Sequence, residues 1–126
     1  MKALKLVTVS VISLTLASCY SLKEPSTQEA YSHGFCNTIT QGVYDAIQRG
    51  DDLGVDGTKF GIALSRAIDK AFPLPPVEWD ARLQVIWKAG VYTGRELRLK
   101  LDNRMVLSEA DVKNIQECAN WADTIS

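Results

Sequence analysis

From Val77 to about Leu101, apolar residues return at steps of three and four, and this periodicity constrains the fold more than any other feature of the 126-residue chain. One stripe holds Leu83, Ile86, Trp87, Gly90, Gly94, Leu97 and Leu101, while Val85, Ala89, Tyr92 and Leu99 make a second. A helix apolar on two sides is expected to be central in its domain. Gly90 and Gly94, one turn apart, leave room for another backbone, at about 1 kcal/mol of helix propensity each relative to Ala. The alternation Leu97-Arg98-Leu99-Lys100-Leu101 is the one strand-like signal, and it leaves open whether this helix ends before Leu97.

Three further segments carry the same period. Ser26-Thr27-Gln28-Glu29 reads as a capping box, in which a Ser hydroxyl and a Glu carboxylate satisfy free amides of the first turn. The helix it opens has Phe35, Cys36, Ile39, Val43, Ala46 and Ile47 on one face and stops at Gly50. The run 51–57 is a turn of Asp and Gly residues. A second helix is expected from Thr58 or Lys59 to about Phe72, with Phe60, Ala63, Leu64, Ala67, Ile68 and Ala71 on its stripe; Pro73-Leu74-Pro75-Pro76 ends it. Ser108-Glu109-Ala110-Asp111 is an Asp version of the capping box, with Leu107 and Val112 placed for a hydrophobic staple. The inner face of that last helix is Val112, Ile115, Cys118, Ala119 and Ala122. Four helices and short connections predict an all-α fold, a small four-helix bundle over residues 27–126.

Ahead of that domain, Lys2 and Lys5 precede an uncharged run from Leu6 to Leu16, the layout of a secretory signal. The run is about 11 residues, or roughly 16 Å as a helix, against a bilayer core of roughly 30 Å, so it reads as an export signal and not as a span. Leu16, Ala17, Ser18 and Cys19 then follow. This segment resembles the signal peptides of bacterial lipoproteins, whose lipobox has Leu three residues before an obligatory Cys and small residues between. The resemblance implies cleavage before Cys19, a diacylglycerol thioether on its sulfur and acylation of its new amino group. It divides the chain into a signal peptide at 1–18, a lipidated Cys with a short tether at 19–26, and the helical domain. The lipoproteins' inner-membrane retention signal is Asp after the lipidated Cys; Tyr20 stands there, which implies anchoring in the outer membrane, facing the periplasm. The alternative is an ordinary cleavable signal in which Cys19 is incidental.

With Cys19 committed to lipid, Cys36 and Cys118 remain as an even pair in a compartment where disulfides persist. A Cys36–Cys118 bridge would join the first helix to the last, and the loop-entropy formula gives it roughly 4 to 5 kcal/mol. The other possibility is two separate buried thiols. Loss of the signal removes two of the 14 basic residues and none of the 15 acidic ones, leaving the mature chain at −3. That balance speaks against a nucleic-acid partner.

Signals for chemistry are few. His33, the single histidine, lies three residues before Cys36 on a helix, a spacing that suits a Cys/His nucleophile. The plainer reading is a partly exposed His beside a disulfide. Asp52, Asp56 and Gly57 fit the first, fifth and sixth positions of a calcium loop, but Gly54 and Ala63 occupy positions where carboxylates are needed. No catalytic residue, metal or cofactor is expected, and the protein is read as a binding module, not an enzyme. Lys88, Arg95, Arg98, Lys100 and Arg104 make the third helix and its exit basic, either as a solvated face or as a stripe that meets anionic lipid or an acidic partner.

In helix order and cysteine placement the mature chain is similar to the type II secretion pilotins, small outer-membrane lipoproteins of four helices with a disulfide from first to last. That resemblance implies a helical surface that binds an amphipathic segment of an envelope protein, a secretin subunit in that family. The expected groove lies beside the third helix at Trp87, Gly90, Val91 and Gly94. Two other roles fit the same features: an immunity or exclusion lipoprotein that blocks a toxin or phage component, and a structural envelope lipoprotein.

Overall fold

The computed structural model describes residues 24–126. The signal peptide, Cys19 and the tether up to Lys23 lie outside the described residues. Among the described residues four helices follow one another: α1 (Thr27–Gln48), α2 (Ile62–Ala71), α3 (Ala81–Asp102) and α4 (Glu109–Ile125). Single 3-10 turns at Gly57–Lys59 and Pro76–Glu78 precede α2 and α3.

Both expected capping boxes are formed. Ser26 Oγ accepts from the Glu29 amide while the Glu29 carboxylate accepts from the Ser26 amide, and Ser108 with Asp111 repeats the exchange. Two helix starts differ from expectation. The second helix does not run on from Thr58, because Asp56 caps an isolated turn and Gly61 then takes φ +88°, a left-handed value that breaks the helical path before Ile62. The third begins at Ala81 and not near Val77, since Pro75 and Pro76 set up their own turn and the Asp80 carboxylate accepts from the Arg82 amide as the true N-cap. At its far end the helix continues through the alternating Leu97–Leu101 segment to Asp102. Leu97 and Leu101 point inward and Leu99 outward, as a 100° step per residue requires.

The central helix is α1, not α3. It packs against each of the other three, most extensively against α3, and it buries Ala30, Phe35, Cys36, Ile39, Val43 and Ala46 around its length. The core gathers these with Leu53, Phe60, Leu64, Ile68, Leu97, Leu101 and Ile115. The expectation for α3 fails at its second stripe. Val85, Tyr92 and Leu99 are 67, 67 and 60% exposed, so α3 is a peripheral helix with one apolar ridge left to solvent.

The α1–α3 contact is unusually close, and glycine makes it so. An ideal Cβ on Gly90 would lie 2.3 Å from the Tyr31 carbonyl oxygen, and one on Gly34 would lie 2.3 Å from that of Trp87. The two backbones therefore touch through reciprocal glycines. The pairs Gly34 with Trp87 and Val91, Gly94 with Thr38, and Arg49 with Leu101 run in the same direction along both helices, so α1 and α3 lie parallel. Cys36 and Cys118 are bridged, with Cα atoms 5.5 Å apart across 82 positions of sequence, and the bond joins α1 to α4. Lys59 and Asp123 make a further ion pair at 2.7 Å between the turn before α2 and the end of α4.

Candidate functional site

The four residues expected to line a groove beside α3 are brought together, but the space beside them is taken. Gly90 and Gly94 are buried against Tyr31, Phe35 and Thr38 of α1, and Val91 faces Gly34. The room that the missing Cβ atoms provide is filled by the chain's own first helix, so an incoming segment would have to displace α1. Trp87 is half-buried, and its indole N–H donates to His33 Nδ1 at 3.1 Å.

His33 is not partly exposed as expected; it is 8% exposed, inside a box of Phe72, Trp79 and Trp87 rings, with centroids 5.2 to 6.4 Å from its own. Trp79 closes the box and donates its own indole N–H to the Leu74 carbonyl at 3.0 Å. Because Nδ1 accepts from Trp87, the imidazole is neutral with its proton on Nε2. Burial pushes its pKa below the ordinary value; its own backbone hydrogen bond and the Asp69 charge pull less strongly the other way. The unfolded chain therefore binds a proton at a pH where the folded chain does not. Stability should be full above the ordinary His pKa of about 6.5 and fall as pH drops through the folded value, by about 1.4 kcal/mol for each unit of separation. A melting series from pH 8 to pH 5 should show this loss, and His33→Phe should flatten it; an unchanged slope would assign the acid sensitivity to other groups. Cys36, the imagined nucleophile, is held in the disulfide.

Asp52 and Asp56 are each turned to a local amide, those of Gly54 and Thr58. Among the described residues, no group of three or more His, Cys, Asp or Glu side chains converges as metal ligands would. Among the same residues no helix is long and apolar enough to cross a membrane.

An open hollow of about 650 Å³ lies elsewhere, between α1 and α2. Thr40 and Tyr44 line it from α1, and Phe60, Ile62, Arg66 and Asp69 from the other side. Phe60 forms a buried apolar floor at 2% exposure, whereas Ile62 stands at 69% on the rim with the Tyr44 ring opposite. The left-handed Gly61 makes this possible, because it sets Phe60 into the core and turns Ile62 outward on consecutive sides of one bend. A groove with an apolar floor, an aromatic wall and one cation beside one carboxylate suits an amphipathic peptide better than a small polar metabolite. Sequence reasoning missed it. The available signal was Ile62 itself, a large aliphatic residue lying off the stripe that runs through Phe60, Leu64, Ala67 and Ile68.

Compared with protein-family models, curated proteins and solved structures, the chain matches none of them.

Proposed function

We propose that this protein is a lipid-anchored periplasmic adaptor of the outer membrane, a non-catalytic helical module that holds an amphipathic segment of another envelope protein in the α1–α2 groove. The observation that carries the binding role is that groove, with Tyr44 and Ile62 exposed above a buried Phe60. The location rests on the export layout and the Leu16-Ala17-Ser18-Cys19 tetrapeptide, and a disulfide-closed domain suits an oxidising compartment. The role is of the kind the pilotin resemblance implies, with the binding surface moved from α3 to the α1–α2 side. Against catalysis stands the engagement of the obvious groups: His33 is turned inward to Trp87 and Cys36 is bonded to Cys118.

A photo-crosslinking side chain at Ile62, in the lipidated protein within its native envelope, should trap one discrete protein partner. The same group at exposed Lys113 on α4 should not, and Tyr44→Asp should abolish the Ile62 product. Equal products at both positions, or none at Ile62, would contradict the groove.

A further inference from the structure

The exposed ridge of α3 faces away from α1. Taking 100° per residue, Val85, Tyr92 and Leu99 fall within about 40° of one line, roughly opposite the Gly90 and Gly94 contact. Arg82 lies about 60° to one side of Val85, with Lys88 and Arg95 about 60° to 80° to the other. All three cations are exposed, and among the described residues none has a carboxylate within salt-bridge distance, whereas Arg98 and Lys100 pair with Asp102 and Asp111. An apolar ridge between unpaired cations is the pattern of a helix lying on an anionic lipid surface. Glu96 sits on the same face between Tyr92 and Leu99, which limits the contact to headgroup depth.

The start of the domain points to the same occupant. The Glu24 carboxylate accepts from the Asp80 amide, so the described chain begins at the N-terminal end of α3. Four residues lie between Cys19 and Glu24, so the five steps from one to the other reach at most about 18 Å. A lipid on Cys19 would therefore hold the N-terminus of α3 within one short tether of the bilayer.

We propose that the Val85–Tyr92–Leu99 face of α3, with Arg82, Lys88 and Arg95, rests on the anionic headgroups of the membrane that carries the anchor. The proposal rests on lipidation of Cys19, and it fixes the orientation in which the domain sits. Each cation removed from such a contact weakens it about fivefold.

The lipidated protein, its anchor verified by intact mass, is placed in vesicles of phosphatidylethanolamine and phosphatidylglycerol containing a headgroup-spin-labelled lipid. The fluorescence added by Tyr92→Trp should be quenched, and that added by Ile62→Trp should not. Replacing phosphatidylglycerol by phosphatidylcholine, or adding Lys88→Glu with Arg95→Glu, should relieve the quenching. Lipidated protein whose Tyr92→Trp emission is unquenched, or quenched no more than that of Ile62→Trp, would overturn the proposal alone; emission that shifts blue with protein concentration would assign the face to a second copy and overturn it too. Protein recovered without the lipid mass would remove the anchor and this proposal together.

Discussion

Gly90→Ala should lower the melting temperature by about 10 °C, a large effect for a single added methyl group. The new Cβ would stand 2.3 Å from the Tyr31 carbonyl oxygen and 3.0 Å from the Phe35 amide nitrogen. Both are backbone atoms of a helix, so no side-chain rotation relieves the clash and α1 must move away from α3 along the contact. Overpacking of this kind costs about 3 kcal/mol, offset by about 1 kcal/mol of helix propensity gained on replacing glycine. The net loss of about 2 kcal/mol converts to the stated shift at about 4 to 8 °C per kcal/mol. Gly42→Ala provides the contrast on the same interface. Its Cβ would meet only the Arg98 and Leu101 side chains, at 3.2 and 3.4 Å, and these can give way. That variant should melt within a degree or two of the wild type, or slightly above it. If the two substitutions have equal effects, close backbone contact is not what holds α1 to α3.

Loss of the disulfide should be larger still. Cys36→Ala with Cys118→Ala frees a loop of 82 positions, and chain entropy assigns the closure about 4 to 5 kcal/mol. A domain of this size has roughly 5 to 15 kcal/mol in total, so the double variant should be marginal at room temperature. The helix contacts explain why so much rests on one bond, since α4 meets α1 over a short stretch and is otherwise held by the ten-residue α2 and by the Lys100–Asp111 ion pair to α3. Urea unfolding with and without a reducing agent is the measurement. The midpoint of the wild type should fall on reduction to that of the double variant, and coincident curves for oxidised and reduced protein would contradict the assignment.

The fold was legible where local chemistry decides it. Each capping box needs only a Ser and an acid three residues on, and both helices they open begin there. The bridge between Cys36 and Cys118 followed from parity once Cys19 was set aside. What sequence could not settle was which helix is central, because two apolar stripes look alike whether the second meets protein or solvent. Val85, Tyr92 and Leu99 belong to the second stripe that suggests a central helix, and they lie outside the core. Gly90 and Gly94 were rightly read as places of close approach, but the approaching backbone is α1, whose own Gly34 and Gly42 were the unread half of the signal. His33 was misjudged for a related reason: its burial comes from Phe72, Trp79 and Trp87, residues 39 to 54 positions away that no local pattern connects to it.

Adaptor role, membrane orientation and the bridge between the remaining cysteines all take Cys19 as the point of attachment. Intact mass spectrometry of the protein recovered from native envelopes tests this most directly. The account predicts a chain that begins at Cys19 and carries a diacylglycerol thioether, with a further acyl group on its amino terminus. A Cys19→Ser variant should lack that mass and remain uncleaved. Recovery of a chain with a free Cys19 thiol, or with residues 1–18 still attached to wild-type protein, would contradict it.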